Sequence, residues 1–136
     1  MNYWLLKSEP ETYSWQDQKN EGTTKWDGVR NYQARNNMQK MKLGDLCFFY
    51  HSGKPREIVG IVKVVQEYYP DDQDPRFGNV NVCYVADAQR PLTLAEIKND
   101  PLLSELALVK QSRLSVMPVC EKSWQKICAQ CQISLS

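Results

Sequence analysis

Three short stretches hold more polar and aromatic chemistry than a strand end or a turn requires: Trp4 to Pro10, Trp26 to Asn37, and Phe49 to Ser52. In the second, an aromatic ring, the permissive Gly28 and the pair Arg30-Asn31 come just ahead of a predicted helix, where free backbone N–H groups and the helix dipole favour a phosphate. Arg30 and Arg35 can pair with phosphates, Asn31 or the Ser8 hydroxyl can hydrogen-bond a base edge, and Trp26 or Tyr32 offers a stacking face. The same residues also admit a structural account, with Trp26 packed in the core and Arg30 paired with Glu9 or Asp27 on the surface. Residue types alone do not choose between the two.

Catalytic readings are weaker. His51-Ser52 places a base beside a hydroxyl, but a serine nucleophile needs an oriented base and a third partner, and no Gly-x-Ser-x-Gly elbow is present. His51 and Ser52 are expected as hydrogen-bonding groups at a pocket mouth or a turn. Lys7 and Glu9 occupy alternate positions that share one face of a strand, where a salt bridge is a simpler account than an acid/base pair. Gly53-Lys54 lacks the rest of a phosphate loop and reads as a turn. Arg113, in the polar run before Leu114, is either a solvated flank or a further backbone contact. Cys128-Ala-Gln-Cys131 has the spacing of a redox or metal pair, but zinc needs about four ligands, no second pair exists and His51 is the single histidine. A packed helix face is expected for these cysteines, and neither a metal nor a cofactor is implied.

The elements that must position these residues follow from the apolar pattern. A first strand over Tyr3 to Lys7 stops at Pro10. Ser14 and Asp17 start a two-turn helix that Gly22 ends. A helix from Asn31 to Lys42 carries Ala34, Met38 and Met41 on one face and exits at Gly44. Leu46 to Tyr50 and the β-branched run Ile58 to Tyr69 form a hairpin through Ser52-Gly53-Lys54-Pro55. Asp71 to Gly78 is an exposed connection to a third antiparallel strand, Asn79 to Ala86. Thr93 to Asn99 is a short helix with a capping pattern. Leu114, Val116 and Val119 form an edge strand that tolerates Pro118, and Trp124, Ile127, Cys128 and Cys131 share a last helix. Short strands interrupted by short helices, without βαβ repeats, predict an α+β fold around a curved sheet or small barrel.

Composition bounds the function. A chain of 136 residues with 42% hydrophobic and 24% charged residues fits one globular domain over 1–136. Seventeen Lys and Arg against sixteen Asp and Glu leave a net charge of +1, so attraction to a polyanion must come from a local patch. Five cysteines, an odd number, and no signal-like apolar segment after Met1 predict a reduced, intracellular protein, cytoplasmic in a bacterium or nuclear in a eukaryote. No apolar run is long enough to span a membrane. Oligomeric state is left open by the sequence.

Four separated motifs, WLLKSEP at 4–10, WDGVRNYQARNNM at 26–38, GDLCFFYHS at 44–52 and QSRLSVMPV at 111–119, together resemble the EVE domain family over nearly the whole chain. The resemblance implies a PUA-like fold, related to the ASCH and YTH domains, with a pocket between barrel and helices. It implies a non-catalytic partner for DNA or RNA that reads a modified base, chiefly 5-methylcytosine or an oxidised form. By motif position, Lys7, Ser8 and Glu9 are expected at one pocket wall, with Trp26, Gly28, Arg30, Asn31 and Tyr32 at the entrance. His51 and Ser52 are expected on the floor, and Ser112 and Arg113 opposite. An enzyme acting on a modified nucleotide, or an RNA-associated domain, is the alternative.

Overall fold

The computed structural model describes residues 1–135; Ser136, the last residue of the expected domain, lies outside them. Strand β1 (Tyr3–Ser8) is apolar at Trp4, Leu5 and Leu6 in succession, the pattern of a strand covered on both faces. It lies parallel to β3 (Leu46–His51) and antiparallel to β6 (Val116–Val119). With β2 (Thr23–Trp26), β4 (Glu57–Pro70) and β5 (Gly78–Thr93), these form a mixed six-stranded sheet in the order β2-β5-β4-β3-β1-β6. Pro118 therefore stands on an edge strand, where its missing N–H costs no ladder bond on the open side.

Helices α1 (Trp15–Glu21), α2 (Tyr32–Gln39), α3 (Leu94–Lys98), α4 (Ala107–Lys110) and α5 (Glu121–Cys131) connect and flank these strands. The fold is α+β, with a mixed sheet and short helices in keeping with PUA-like architecture. Successive strand residues point to opposite faces, and β3 uses this at Phe48 and Phe49. Phe48 stacks on Trp124 of α5, with centroids 3.9 Å apart. Phe49 meets Trp15 at 4.9 Å and Trp26 at 5.5 Å on the other face. Register shifts at Phe49/Tyr50 and at four places along β4 and β5 bend the strands and curl the sheet.

Local signals set several boundaries. Ser14 and Asp17 form a reciprocal capping box on α1, and Thr93 and Glu96 do the same on α3. Other expectations change. The helix over 31–42 is shorter: Asn31 is its N-cap, Lys40 its C-cap, and Gly44, at φ +87°, turns the chain into β3. The third antiparallel strand extends to Thr93 because β4 continues to pair with it beyond the bulges. Leu114 is buried but precedes the edge strand, which begins at Val116. Strand β2 and the parallel pairing of β1 with β3 were not expected; both depend on partners distant in sequence.

Candidate functional site

A cavity of about 690 Å³ opens on the Phe49 side of the sheet, in the size range of small-ligand sites. Its walls come from four parts of the chain: the end of β1 and its following turn, the end of α1, β2 with the loop to Arg30, and Ser115 ahead of β6. Of the residues singled out by sequence, it gathers Lys7, Ser8, Glu9, Trp26, Gly28 and Arg30. The turn after β1 is shaped by Thr12 and Tyr13 N–H groups, both donating to the Glu9 carbonyl, while the Ser8 hydroxyl donates to the Tyr13 carbonyl.

Trp26 packs in the core and also borders the cavity. It is 8% exposed, edge-on to Phe49 and to Tyr13 (centroids 6.2 Å), and it lines the cavity. Gly28, at φ +77°, takes a left-handed conformation that lets the chain turn from β2 towards α2. Arg30 pairs with neither Glu9 nor Asp27: its guanidinium bonds Asp71 at 3.2 Å and the Val29 carbonyl at 3.0 Å, and lies over the Phe77 ring. Nor do Lys7 and Glu9 form a salt bridge. The Lys7 ammonium donates to the Ser112 carbonyl at 2.9 Å, and its backbone N–H to the Ser115 carbonyl at 3.0 Å. Burial, and then the Arg56 charge, hold the Lys7 pKa below its ordinary value.

The remaining expected residues do not line this cavity. The Asn31 carboxamide caps α2, accepting from the Ala34 N–H at 2.9 Å. Tyr32, 52% exposed, stacks on Phe77 at 5.0 Å, and Arg35 lies over the Tyr32 ring while bonding the Arg76 carbonyl. His51 is not on the cavity floor: its Nε2 accepts the Trp15 N–H at 3.0 Å at the start of α1, and burial lowers its pKa. Ser52 ties its backbone N–H to the Ser8 carbonyl. Ser112 contributes its carbonyl to Lys7, and Arg113 is exposed.

The sequence reading missed Thr12, Tyr13, Glu21, Thr24, Lys25 and Ser115 in the lining, and it held Asp27 and Val29 only within the Trp26 to Asn37 stretch, with Asp27 as a surface partner for Arg30. A period-2 signal was present, since Thr24 and Trp26 share one face of β2. The Tyr13 hydroxyl is buried, with Thr24 and Glu21 as its polar neighbours. Burial raises its pKa, the neighbouring Thr24 hydroxyl pulls it down, and the Glu21 charge raises it.

The cavity can therefore offer an aromatic wall, hydroxyls, and charges of both signs. Among the described residues, no group of three or more His, Cys, Asp or Glu is placed to hold a metal ion. Burial pushes the Cys128 and Cys131 thiols up to about 11 and about 12, so both stay protonated against the core.

A family model described as EVE domain matches residues 2–130. This chain belongs to the EVE domain family. Among curated relatives of this EVE domain, thymocyte nuclear protein 1 of Gallus gallus is 38% identical, the match covering 90% of this chain and 65% of that protein. The Mus musculus protein of the same name is also 38% identical, over 93% of this chain and 72% of its own length. The EVE domain thus spans about two thirds of these relatives. A crystal structure of an Agrobacterium tumefaciens protein superposes with a TM-score of 0.95 at 43% identity, covering 98% of this chain and 94% of that one. The crystal structure of human THYN1 protein in complex with 5-methylcytosine-containing DNA gives a TM-score of 0.91 at 32% identity, covering 98% and 99%. An ASCH structure from Zymomonas mobilis, 11% identical with a TM-score of 0.57 over 93% of this chain and 94% of that one, shares the fold.

Proposed function

We propose that this EVE domain binds DNA by drawing a flipped 5-methylcytosine, or an oxidised form of it, into the cavity beside Trp26. The observation that carries this reading is the Trp26 ring, held edge-on by Phe49 and Tyr13, forming the wall of a cavity large enough for a base. Unstacking a base costs a few kcal/mol, and stacking on an aromatic wall returns about 1–3 kcal/mol. The hydroxyls of Thr12, Thr24 and Ser115 are available for the base edge, and that of Ser8, whose proton goes to the Tyr13 carbonyl, can accept there. The human relative solved with 5-methylcytosine-containing DNA supports the choice of base.

Lys7, Lys25 and Arg30 share the lining with Glu9, Glu21 and Asp27, so the cavity itself is not a strong phosphate site. Affinity for unmodified duplex should accordingly be weak at physiological salt. Five unpaired thiols fit the reducing, intracellular setting in which such a module would work. Fluorescence anisotropy with matched single- and double-stranded DNA and RNA, carrying cytosine, 5-methylcytosine or 5-hydroxymethylcytosine at fixed salt, tests the proposal. Selective binding of one modified DNA supports it. Preference for an RNA moves the reading to RNA, and equal binding throughout removes the base-reading role.

A further inference from the structure

A second concave site lies beside the β3–β4 turn. Lys54, Pro55, Arg56, Thr93, Leu94, Ala95 and Lys98 enclose about 360 Å³, and no carboxylate contributes to the lining. Lys54, Arg56 and Lys98 are exposed. None of the three forms an ion pair among the described residues, whereas Arg30, Arg76 and Arg90 are each paired with a carboxylate. In a chain of net charge +1, three unpaired cations around one hollow are a local concentration of positive charge. Glu57 and Glu96, adjacent in sequence to lining residues, do not line the hollow themselves. Glu96 is engaged by Arg90 and by the Thr93 backbone and hydroxyl. Glu57 is half-buried and lies outside the lining.

The hollow is joined to the Trp26 cavity by the sheet. Pairing places Ser8 opposite His51, His51 opposite Glu57, and Glu57 opposite Thr93, one row across β1, β3, β4 and β5. Ser8 lines the Trp26 cavity and Thr93 lines the hollow. At the usual interstrand spacing the two are about 14 Å apart. The turn is fixed at both ends of this row: the Ser52 N–H donates to the Ser8 carbonyl, and the Leu94 N–H donates to the Arg56 carbonyl at 2.9 Å. Arg56 is near enough to Lys7 for its charge to depress the lysine.

We infer that Lys54, Arg56 and Lys98 form a phosphodiester-binding subsite, which holds the backbone of the strand whose base enters the Trp26 cavity. The inference rests on the nucleic-acid reading above but not on which base is read. A backbone contact carries no sequence information and releases counterions, so it is seen in the salt dependence of affinity rather than in base preference.

The test uses the full chain, single-stranded DNA oligonucleotides with cytosine or 5-methylcytosine at one position, and a salt titration. Lys54→Gln, Arg56→Gln and Lys98→Gln are combined, with Lys40→Gln, Lys63→Gln and Lys122→Gln as a charge-matched control. The patch variant is expected to lose affinity for both oligonucleotides by the same factor. Its slope of log affinity against log salt should flatten by about 2, at roughly 0.7 per contact on a single strand. The control should keep the wild-type slope.

An unchanged slope in the patch variant overturns the inference, and so does an equal change in the control. A wild-type chain that binds neither strand at low salt overturns it as well. Should wild type bind both strands equally while the patch variant flattens the slope, the subsite stands and the base-reading proposal falls.

Discussion

Replacing Trp26 removes the wall on which the proposal depends, and its two consequences separate. Trp26 sits on the four-residue edge strand β2, opposite Val80, with only 8% of its surface exposed and its ring edge-on to Phe49 and Tyr13. Truncation to alanine therefore costs about 3–5 kcal/mol of stability, as for other buried large aromatics. Trp26→Leu fills part of the space and is the variant to assay alongside it. For binding, the lost stacking is worth about 1–3 kcal/mol, a drop of roughly 5- to 150-fold for any flipped base. The methyl group adds about 0.8 kcal/mol of burial, so the wild-type preference for 5-methylcytosine over cytosine from that burial is about fourfold. In both variants this ratio should fall towards one, leaving weak, salt-sensitive affinity. Thermal melts first establish that each variant is folded at the assay temperature, and anisotropy titrations then give the ratio. A folded Trp26→Leu or Trp26→Ala protein that keeps full affinity and the fourfold ratio refutes the stacking wall.

Three further outcomes follow from the scaffold. Asp45, 3% exposed, accepts from the Trp4 indole N–H at 3.0 Å and from the Asn2 and Lys42 backbone N–H groups. Asp45→Ala should destabilise by about 3 kcal/mol in a denaturant titration, with Asp45→Asn intermediate, because the buried indole loses its acceptor. A Cβ on Gly60 would lie 2.1 Å from Trp15 Cζ2, so Gly60→Ala should lower the melting midpoint through about 1–3 kcal/mol of overpacking; no change would mean that Trp15 moves freely. His51 must be neutral to accept the Trp15 N–H, and its folded pKa is lowered, so the unfolded chain takes up the proton first. Its contribution is complete above the ordinary value near 6.5 and is lost progressively as pH falls towards and through the lowered folded value. Melting midpoints at pH 7.5 and 5.5 should differ more for wild type than for His51→Gln, and equal differences would exclude this role.

Much of the local structure was legible in the sequence. The caps at Ser14 and Thr93, the turn after Tyr50 and the edge position of Pro118 are signals carried within a few residues. Strand β2 was not legible, since its four residues gain strand geometry only by pairing with β5, nearly sixty residues later. The site was partly legible for the same reason. The family resemblance implied that Lys7, Ser8, Glu9, Trp26, Gly28 and Arg30 surround one pocket, and these six do line one cavity. It could not tell that Asn31 is used as a helix cap, that His51 serves the start of α1, or that Tyr32 stacks on Phe77. Polar residues near a site look alike in sequence whether they face the ligand or support the wall, and only tertiary geometry distinguishes the two.

Because the cavity takes its walls from β1, β2 and the segment entering β6, it exists only when both edge strands of the sheet are docked. Occupancy and global folding are thereby thermodynamically linked: a molecule that fits the folded cavity and not the open chain raises the unfolding free energy of the whole sheet. At a free concentration one hundred times its Kd the gain is about 2.7 kcal/mol, enough to read as a shift in melting temperature. A panel of unlabelled nucleosides could then be ranked against this protein by heat alone, with neither a strand nor a fluorophore, and with the identity of the base emerging from the ranking itself.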